Sequence, residues 1–95
     1  MITQEFRDWV DDIKYLVERR VGKFCYVDTF TGLSIIHVQV SFKEGQIFRM
    51  SFDQFEFDKN NKKQRHSLAK YRRQNMAEQI EDFGDLLIKT AKKLK

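Results

Sequence analysis

Apolar side chains recur at helical spacing along residues 2–21, while charged side chains fill the opposite side. The apolar positions are Ile2, Phe6, Trp9, Val10, Ile13, Leu16, Val17 and Val21. Residues three and four apart lie on one face of an α-helix, so the pattern predicts an amphipathic helix over residues 2–21. Thr3 is the expected N-cap, and Gly22 is the expected stop at the C-terminal end.

The next part of the chain alternates apolar and polar residues, which is the period of a half-buried strand. Residues 24–30 are rich in β-branched and aromatic side chains, and Thr31-Gly32 provides a tight turn into residues 33–42. In the second of these strands the positions predicted to face the core are Ile36, Val38, Val40 and Phe42. Two strands joined by a short turn make an antiparallel hairpin.

A third strand is predicted over residues 46–52, after a turn at residues 43–45 that contains a glycine. Its core-facing positions are Phe48, Met50 and Phe52. After Phe52 the parity of the apolar positions shifts to Phe55 and Phe57. This shift predicts a bulge, a bend or a short fourth strand.

The C-terminal third of the chain returns to helical spacing. Its apolar face is formed by Met76, Ile80, Phe83, Leu87, Ala91 and Leu94. Together these patterns predict an α+β fold in one domain, residues 1–95, with the element order α-β-β-β-α. In this fold an antiparallel sheet of three or four strands is flanked by an N-terminal and a C-terminal helix.

Charge is distributed unevenly along the chain. Residues 59–73 (KNNKKQRHSLAKYRR), called the basic segment below, contain seven lysines and arginines, one histidine and no acidic residue. The segment alone carries +7 whereas the whole chain carries +4, so the remaining residues sum to −3. A local basic patch on a mildly acidic domain is typical of proteins that contact the phosphates of nucleic acid.

The candidate phosphate contacts are the cations and the histidine of this segment: Lys59, Lys62, Lys63, Arg65, His66, Lys70, Arg72 and Arg73. We expect them to contact phosphates mostly without reading the base sequence. Cations at the start of a helix each cost about 0.3 to 1 kcal/mol unless something negative lies among them. A bound phosphate removes that cost. The sequence also leaves open a solvated basic face, contact with an acidic protein surface, and a homodimer.

The basic segment conflicts with the phase of the C-terminal helix. Extending the apolar face backwards at about 100° per residue places cations on the core side. The residues on that line are Lys62, Arg65, His66, Ala69 and Arg73. Because unpaired cations cannot line an apolar core, either the helix breaks near residues 72–75 or its first turns overhang the sheet. In the second case their basic side is turned toward the rim of the sheet.

The outer face of the predicted sheet offers a second surface for nucleic acid. Its side chains include Ile35, His37, Gln39, Ile47 and Arg49. Such side chains stack on unpaired bases or form hydrogen bonds with them in single-strand-binding proteins. The face is available only if the two helices leave it uncovered.

The sequence does not group residues for catalysis, metal binding or a cofactor. His37 and His66 belong to different predicted elements. Cys25, the single cysteine, has no neighbouring base and is expected to be a buried strand thiol without an intrachain disulfide. Glu56 and Asp58 would share a strand face, and two carboxylates are weak evidence for a Mg²⁺ site. We therefore expect no enzyme activity, no metal and no cofactor.

No apolar run approaches the roughly 18 residues that cross a bilayer. The first residues, MITQEFRDW, mix charges into the N-terminus instead of forming a signal peptide. A single cysteine suits a reducing compartment. These features predict a cytoplasmic protein that does not associate with membranes.

The order α-β-β-β-α, with lysines near the start of the last helix, resembles a double-stranded-RNA-binding domain. Members of that family recognise the A-form shape with the first helix, a loop between the first two strands and a lysine cluster at the second helix. The stretch KKQRHSLAK, residues 62–70, is loosely similar to the lysine-rich motif of the family. The resemblance implies RNA contacts from these three regions.

The size and composition also resemble those of small accessory proteins of bacteriophages and mobile elements. The shared features are a short, proline-free, charge-rich chain and one small α+β core. This resemblance implies a second class of function, an inhibitor or adaptor that binds a host protein. One docking place that this function allows is the host protein's own nucleic-acid-binding surface.

Overall fold

The computed structural model describes residues 1–22 and 25–93, which form three helices and three strands. Along the chain these are α1 (Gln4–Val21), β1 (Cys25–Thr31), β2 (Ile35–Phe42), β3 (Ile47–Asp53), α2 (Gln54–Lys59) and α3 (Lys62–Lys93). The sheet is antiparallel with the strand order β1-β2-β3. The predicted α+β class and the order α-β-β-β-α are confirmed, with α2 as an addition. The predictions for Phe24, Leu94 and the side chain of Ala91 lie outside the described residues.

Helix α1 starts directly after Thr3, because the Phe6 N–H donates a hydrogen bond to Thr3 Oγ1 at 3.2 Å. It ends before Gly22, whose N–H donates to the Glu18 carbonyl oxygen at 2.7 Å. A Cβ at residue 22 would lie 2.5 Å from that oxygen, so only glycine fits there without a shift of the backbone. The predicted cap and stop are both confirmed.

One face of α1 is buried, and its buried side chains are Phe6, Val10, Ile13, Val17 and Val21. Ile2 and Trp9, which belong to the same predicted face, are half-buried. Leu16 was expected in the core and is exposed. It lies on the flank of α1 that lines a groove between α1 and α3, so the helices leave it uncovered.

The regular register of the strands gives the sheet one apolar and one mainly polar face. Val27 pairs with Val40, and Val38 pairs with Met50; all four side chains are buried. Alternate residues point to the other face and are exposed or half-buried. Buried residues of both α1 and α3 join the apolar face of the sheet in one core cluster. The two long helices therefore pack on the same side, and none of the elements in residues 1–22 and 25–93 covers the outer face of the sheet.

A short helix, α2, stands where the sequence predicted a bulge, a bend or a fourth strand. Asp53 caps it, because its Oδ1 accepts a hydrogen bond from the Phe55 N–H at 2.8 Å. Phe57 is 4% exposed whereas Phe55 is 65% exposed. The shift in apolar parity thus marks a change from strand to helix. Within the described residues the alternative of a fourth strand is thus excluded, and the sheet has the predicted three strands. The prediction that Glu56 and Asp58 share a strand face is wrong, because both residues lie in α2.

Helix α3 is continuous over 32 residues, or about 48 Å, so a break near residues 72–75 is excluded. It runs parallel to α1, since Arg65 lies 3.6 Å from Glu5 and Arg20 forms an ion pair with Glu81. The buried residues on its core side are Ala69, Met76, Ala77 and Ile80. Phe83 adds ring contacts with Phe42 and Phe48 of the sheet.

The turns of α3 before Arg72 run past the end of the sheet. Arg72 lies over the ring of Phe52, near the end of β3, whereas Arg65 lies over the ring of Phe57 in α2. The overhang that helical phase suggested is therefore present. Helix α2 packs against these overhanging turns. The sequence did not predict this contact.

Cys25 is a buried thiol in β1, as expected. Its Sγ donates a hydrogen bond to the Val21 carbonyl oxygen at 3.1 Å. Burial raises the pKa of this thiol above its usual value, because the charged thiolate is poorly solvated there. The thiolate is the reactive form, so Cys25 is not poised for nucleophilic chemistry.

Candidate nucleic-acid interface

The basic segment forms one corner of the molecule, where α2 ends and α3 begins. Asn61 and Gln64 cap the start of α3 reciprocally. The Gln64 N–H donates to Asn61 Oδ1 at 2.9 Å, and the Asn61 N–H donates to Gln64 Oε1 at 2.8 Å. The first turn of α3 contains no acidic residue. The cations are thus collected at the end of the helix that already carries the partial positive charge of the helix dipole.

Five of the predicted contact residues are exposed to solvent: Lys59, Lys62, Lys63, His66 and Lys70. Among the described residues, the four lysines form no salt bridge with an acidic side chain. Their charge is therefore not met by a direct ion pair within the described part of the protein. Arg65, Arg72 and Arg73 are half-buried and lie on the side of α3 that faces the rest of the molecule.

Arg65 is held by contacts within the protein. Its Nε donates a hydrogen bond to the Phe57 carbonyl oxygen at 2.8 Å. Its guanidinium carbon lies 3.7 Å from the centroid of the Phe57 ring, which is a cation–π contact. Glu5 adds an ion pair at 3.6 Å. These contacts explain how a cation can lie on the core side of α3. A backbone carbonyl, the face of a ring and a carboxylate together stabilise its charge.

Arg72 is held in a similar way at the free edge of β3. Its Nη2 donates to the Ser51 carbonyl oxygen at 2.8 Å, and its guanidinium carbon lies 4.8 Å from the centroid of the Phe52 ring. A backbone carbonyl on a sheet edge has no strand partner, so the arginine satisfies it. Arg72 therefore joins the basic segment to the edge of the sheet.

Replacing Arg65 by methionine should destabilise the fold. Loss of a hydrogen bond from a charged donor and of a cation–π contact predicts a decrease of about 1 to 3 kcal/mol in the free energy of unfolding. Lys62→Met removes an exposed cation one turn earlier and should change that free energy by less than about 0.5 kcal/mol. Urea denaturation of both variants measures the difference. Equal stability of the two variants would contradict a structural role for Arg65.

A groove of about 690 Å³ separates the first halves of α1 and α3. Its α1 wall carries acidic groups and its α3 wall carries basic ones, and its main lining residues are Glu5, Asp8, Asp12, Lys62, His66 and Arg73. The floor is apolar and contains Trp9, Ile13 and Leu16. Within the described residues, the buried Nε1 of Trp9 has no hydrogen-bond partner. The groove thus offers a charged wall of each sign beside an apolar floor.

A second, polar groove of about 320 Å³ lies between the free edge of β3 and α3. Its polar lining residues are Arg49, Arg72, Asn75 and Gln79. Phe48, Met50 and Met76 complete the lining, and none of the carboxylates that the structure describes belongs to it. Side chains that carry N–H donors thus surround it, which suits an anion such as a phosphate.

The outer face of the sheet carries hydrogen-bonding side chains between exposed apolar ones. Arg49 donates two hydrogen bonds to Gln39 Oε1, from Nη2 at 2.6 Å and from Nε at 3.2 Å. His37 Nδ1 lies 2.7 Å from Ser51 Oγ. Tyr26 and Phe30 were not assigned to this face from the sequence, yet both are exposed on it. The alternation of β1, with Cys25 and Val27 buried between them, is the signal that places them there.

The buried side chain of Gln54 connects three parts of the fold at the end nearest the basic segment. Its backbone N–H donates to the Ser34 carbonyl oxygen at 2.8 Å, in the link between β1 and β2. Its Oε1 accepts from the Thr3 N–H at 2.8 Å, and its Nε2 donates to Asp58 Oδ1 at 2.9 Å. The start of α1, the β1–β2 link and α2 therefore meet at one end of the molecule.

In residues 1–22 and 25–93, no helix is long and apolar enough to cross a membrane. The same residues contain no group of three or more His, Cys, Asp or Glu side chains that could hold a metal ion. No protein-family model matches the chain, and the comparisons with curated proteins and with solved structures found no match either. Function is therefore inferred from the residues and their geometry.

Proposed function

We propose that the protein is a non-enzymatic nucleic-acid-binding module that contacts phosphates through the basic segment, mostly without reading sequence. One observation carries this proposal. Lys59, Lys62, Lys63 and Lys70 are exposed at the start of α3 and form no salt bridge with any described acidic side chain. Phosphates would supply the missing negative charge and release their counterions to solvent, which favours binding.

The helix dipole strengthens this preference for an anion. The start of α3 has unpaired backbone N–H groups and several cations but no acidic residue in its first turn. Each cation there costs about 0.3 to 1 kcal/mol in the free protein. A phosphate placed at this end is attracted by both the lysines and the dipole, so binding relieves a cost that is present in the free state.

The acidic wall of α1 restricts where a phosphate backbone can lie. The resemblance to double-stranded-RNA-binding domains implies contacts from the first helix and from the loop between the first two strands, both of which lie near the basic segment. However, the groove-facing side of α1 carries Glu5, Asp8 and Asp12. These carboxylates repel phosphates, so we expect α3 to provide most of the binding energy.

The test of the proposal is the salt dependence of binding by the wild-type protein. Fluorescence anisotropy is measured with labelled single-stranded DNA, duplex DNA and duplex RNA between about 50 mM and about 200 mM salt. Contacts from four lysines predict a slope of about −3 in a plot of log affinity against log salt. No binding at the lower salt concentration, or a slope near zero, would overturn the proposal.

A second candidate function is an adaptor that docks on another protein, and the groove between α1 and α3 favours it. Its apolar floor and its two oppositely charged walls fit a partner segment with an apolar ridge, basic on one flank and acidic on the other. The measurements above separate the two functions. The adaptor function is supported if the protein binds no oligonucleotide but forms a stoichiometric complex with another protein. That complex should survive nuclease treatment and be lost in the Leu16→Asp variant.

A further inference from the structure

We propose that the substrate is single-stranded nucleic acid and that the open face of the sheet is the platform on which its bases stack. This inference rests on the proposed function and assigns a second contact surface to it. Unpaired bases would lie on the rings of Tyr26 and Phe30 in β1. The phosphate backbone would follow the opposite edge of the sheet, along the polar groove between β3 and α3.

The two rings are placed as stacking surfaces. Tyr26 is 61% exposed and Phe30 is 50% exposed. The solvent-facing side of an antiparallel sheet usually carries polar residues instead. They lie four residues apart on one strand, so their Cα atoms are about 13 Å apart. In the described residues neither ring packs against another aromatic ring. Both rings therefore offer free surface on which an unpaired base can stack.

The cross-strand register surrounds the rings with small or flat neighbours. Tyr26 pairs with Ser41, and Phe30 pairs with His37. Beside these neighbours both rings keep at least half of their surface exposed. A base can therefore approach the face of each ring, and stacking of this kind tolerates any base sequence because every base has a π face.

Charge gives the platform a direction. The row between the two rings runs from Asp28 on β1 through Gln39 to Arg49 on β3. The acidic end of this row repels phosphates, while its basic end lies beside Arg72 in the polar groove. The backbone of a bound strand therefore belongs on the β3 side, with its bases directed toward β1. Gln39 and Asp28 then lie where hydrogen bonds to base edges form.

The platform is continuous with the basic segment. Arg72 belongs to that segment and also contacts the Ser51 carbonyl oxygen at the sheet edge. From Arg72 the helix runs about 15 Å back to Lys62, at 1.5 Å per residue. A strand that leaves the groove beside β3 therefore meets the exposed lysines of α3 next. One chain of nucleotides can use both surfaces at once.

A duplex cannot use this platform. Its bases are stacked on one another and paired, so an aromatic ring on a flat sheet reaches their faces only if the strands open. The basic segment by itself contacts phosphates of either form. The rings therefore provide the difference in affinity between single strands and duplexes.

The test compares the wild-type protein with a Tyr26→Thr, Phe30→Thr variant, in which threonine keeps a high strand propensity. Anisotropy is measured with oligo-dT and oligo-U of about 16 nucleotides and with a duplex of the same length. Loss of two stacking contacts, each of about 1 to 3 kcal/mol, predicts single-strand affinity weaker by at least about fivefold per ring. Affinity for the duplex and the salt slope should stay unchanged. Comparison of oligo-dT with oligo-U shows whether DNA or RNA is preferred.

Two controls separate stacking from general effects. Tyr15→Ala removes a tyrosine of α1 that is 59% exposed, and it should leave single-strand affinity unchanged. A Tyr26→Trp, Phe30→Trp variant keeps aromatic faces at both positions and should bind at least as well as the wild type. Failure of the tryptophan variant to retain affinity would contradict stacking even if the threonine variant loses it.

The outcomes distinguish this inference from the proposed function. Wild-type affinity in the threonine variant, or equal wild-type affinity for single strands and duplexes, overturns the platform while the basic segment stays in place as a phosphate contact. Absence of binding to every oligonucleotide overturns both. Selective loss of single-strand binding in the threonine variant, with its rescue by tryptophan, supports the platform.

Discussion

A triple variant with Lys62→Glu, Lys63→Glu and Lys70→Glu is expected to lose nucleic-acid binding at low salt, by about a thousandfold or more. Each substitution removes a cation that attracts a phosphate and adds a carboxylate that repels one. The slope of log affinity against log salt should become shallower by about 2 to 3, one lost contact for each lysine. Anisotropy with labelled single-stranded DNA measures both quantities.

The same variant should remain folded, because its three side chains are exposed. Two of the substitutions fall in the first turn of α3, which contains no acid in the wild type. Glutamate there interacts favourably with the helix dipole, by about 0.3 to 1 kcal/mol for each residue. The melting temperature should therefore stay at or above that of the wild type. A loss of binding in this variant cannot then be attributed to unfolding.

The last turns of α3 provide a control of matched charge. Lys89, Lys92 and Lys93 are exposed in the same helix, and their replacement by glutamate lowers the net charge by the same amount, from +4 to −2. This variant should keep most of its affinity, since only long-range attraction is reduced. Equal losses in the two variants would mean that net charge, and not the basic segment, drives binding. No loss in the first variant would overturn the proposed function.

The core elements could be predicted because each shows one clear period. Alternation in β2 and helical spacing in α1 are long enough to repeat several times, and burial follows them closely. Helix α2 spans only six residues, less than two turns, so its two phenylalanines could not establish a period. The parity shift at Phe55 and Phe57 correctly indicated where the third strand ends. It did not indicate that a helix follows. The segment is helical because Asp53 caps its first turn and the buried side chain of Phe57 packs it against the core.

The phase conflict in α3 was visible in the sequence, but its resolution was not. Arg65 is tolerated on the core side of α3 because it lies over the Phe57 ring and donates to the Phe57 carbonyl oxygen. Arg72, which lies beside that row, is held in the same way by the Phe52 ring and the Ser51 carbonyl oxygen. Those partners come from other elements, and helical phase alone says nothing about them. One signal could have been read: Asn61-x-x-Gln64 has the spacing of a capping box and marks the start of α3.

The internal contacts of the two arginines determine which residues can be substituted to test phosphate binding. Arg65 was predicted as a phosphate contact, and its internal partners mean that Arg65→Glu would disturb the fold as well as any binding. Arg72 has the same difficulty at the sheet edge. The exposed lysines carry no such ambiguity. They are therefore the residues to substitute when phosphate contact is the question.

Replacing Phe57 by alanine should have the largest effect on stability, about 3 to 5 kcal/mol. Its ring centroid lies 5.3 Å from that of Phe6 and 5.4 Å from that of Trp9, and Arg65 lies over its face. The side chain thus fills the space between α1, α2 and α3. A domain of this size has a free energy of unfolding of only about 5 to 15 kcal/mol, so the variant should unfold at much lower urea concentration.

Phe55→Ala is the matched control, with the same substitution two residues earlier in the same helix. Its side chain is mostly exposed, so the free energy of unfolding should change by less than about 0.5 kcal/mol. Equal destabilisation by the two substitutions would contradict the arrangement of α2, because it would require both rings to be buried.

Phe57 also determines whether the basic segment is ordered. The first turns of α3 lie beyond the end of β3, so their tertiary support comes from α2 and the start of α1. Without the Phe57 ring, Arg65 loses its cation–π contact, and amide hydrogen exchange should accelerate in residues 59–69 more than in β2. If exchange in those residues stays slow in Phe57→Ala, the segment is held by the rest of α3. Its cations would then keep their spacing independently of α2.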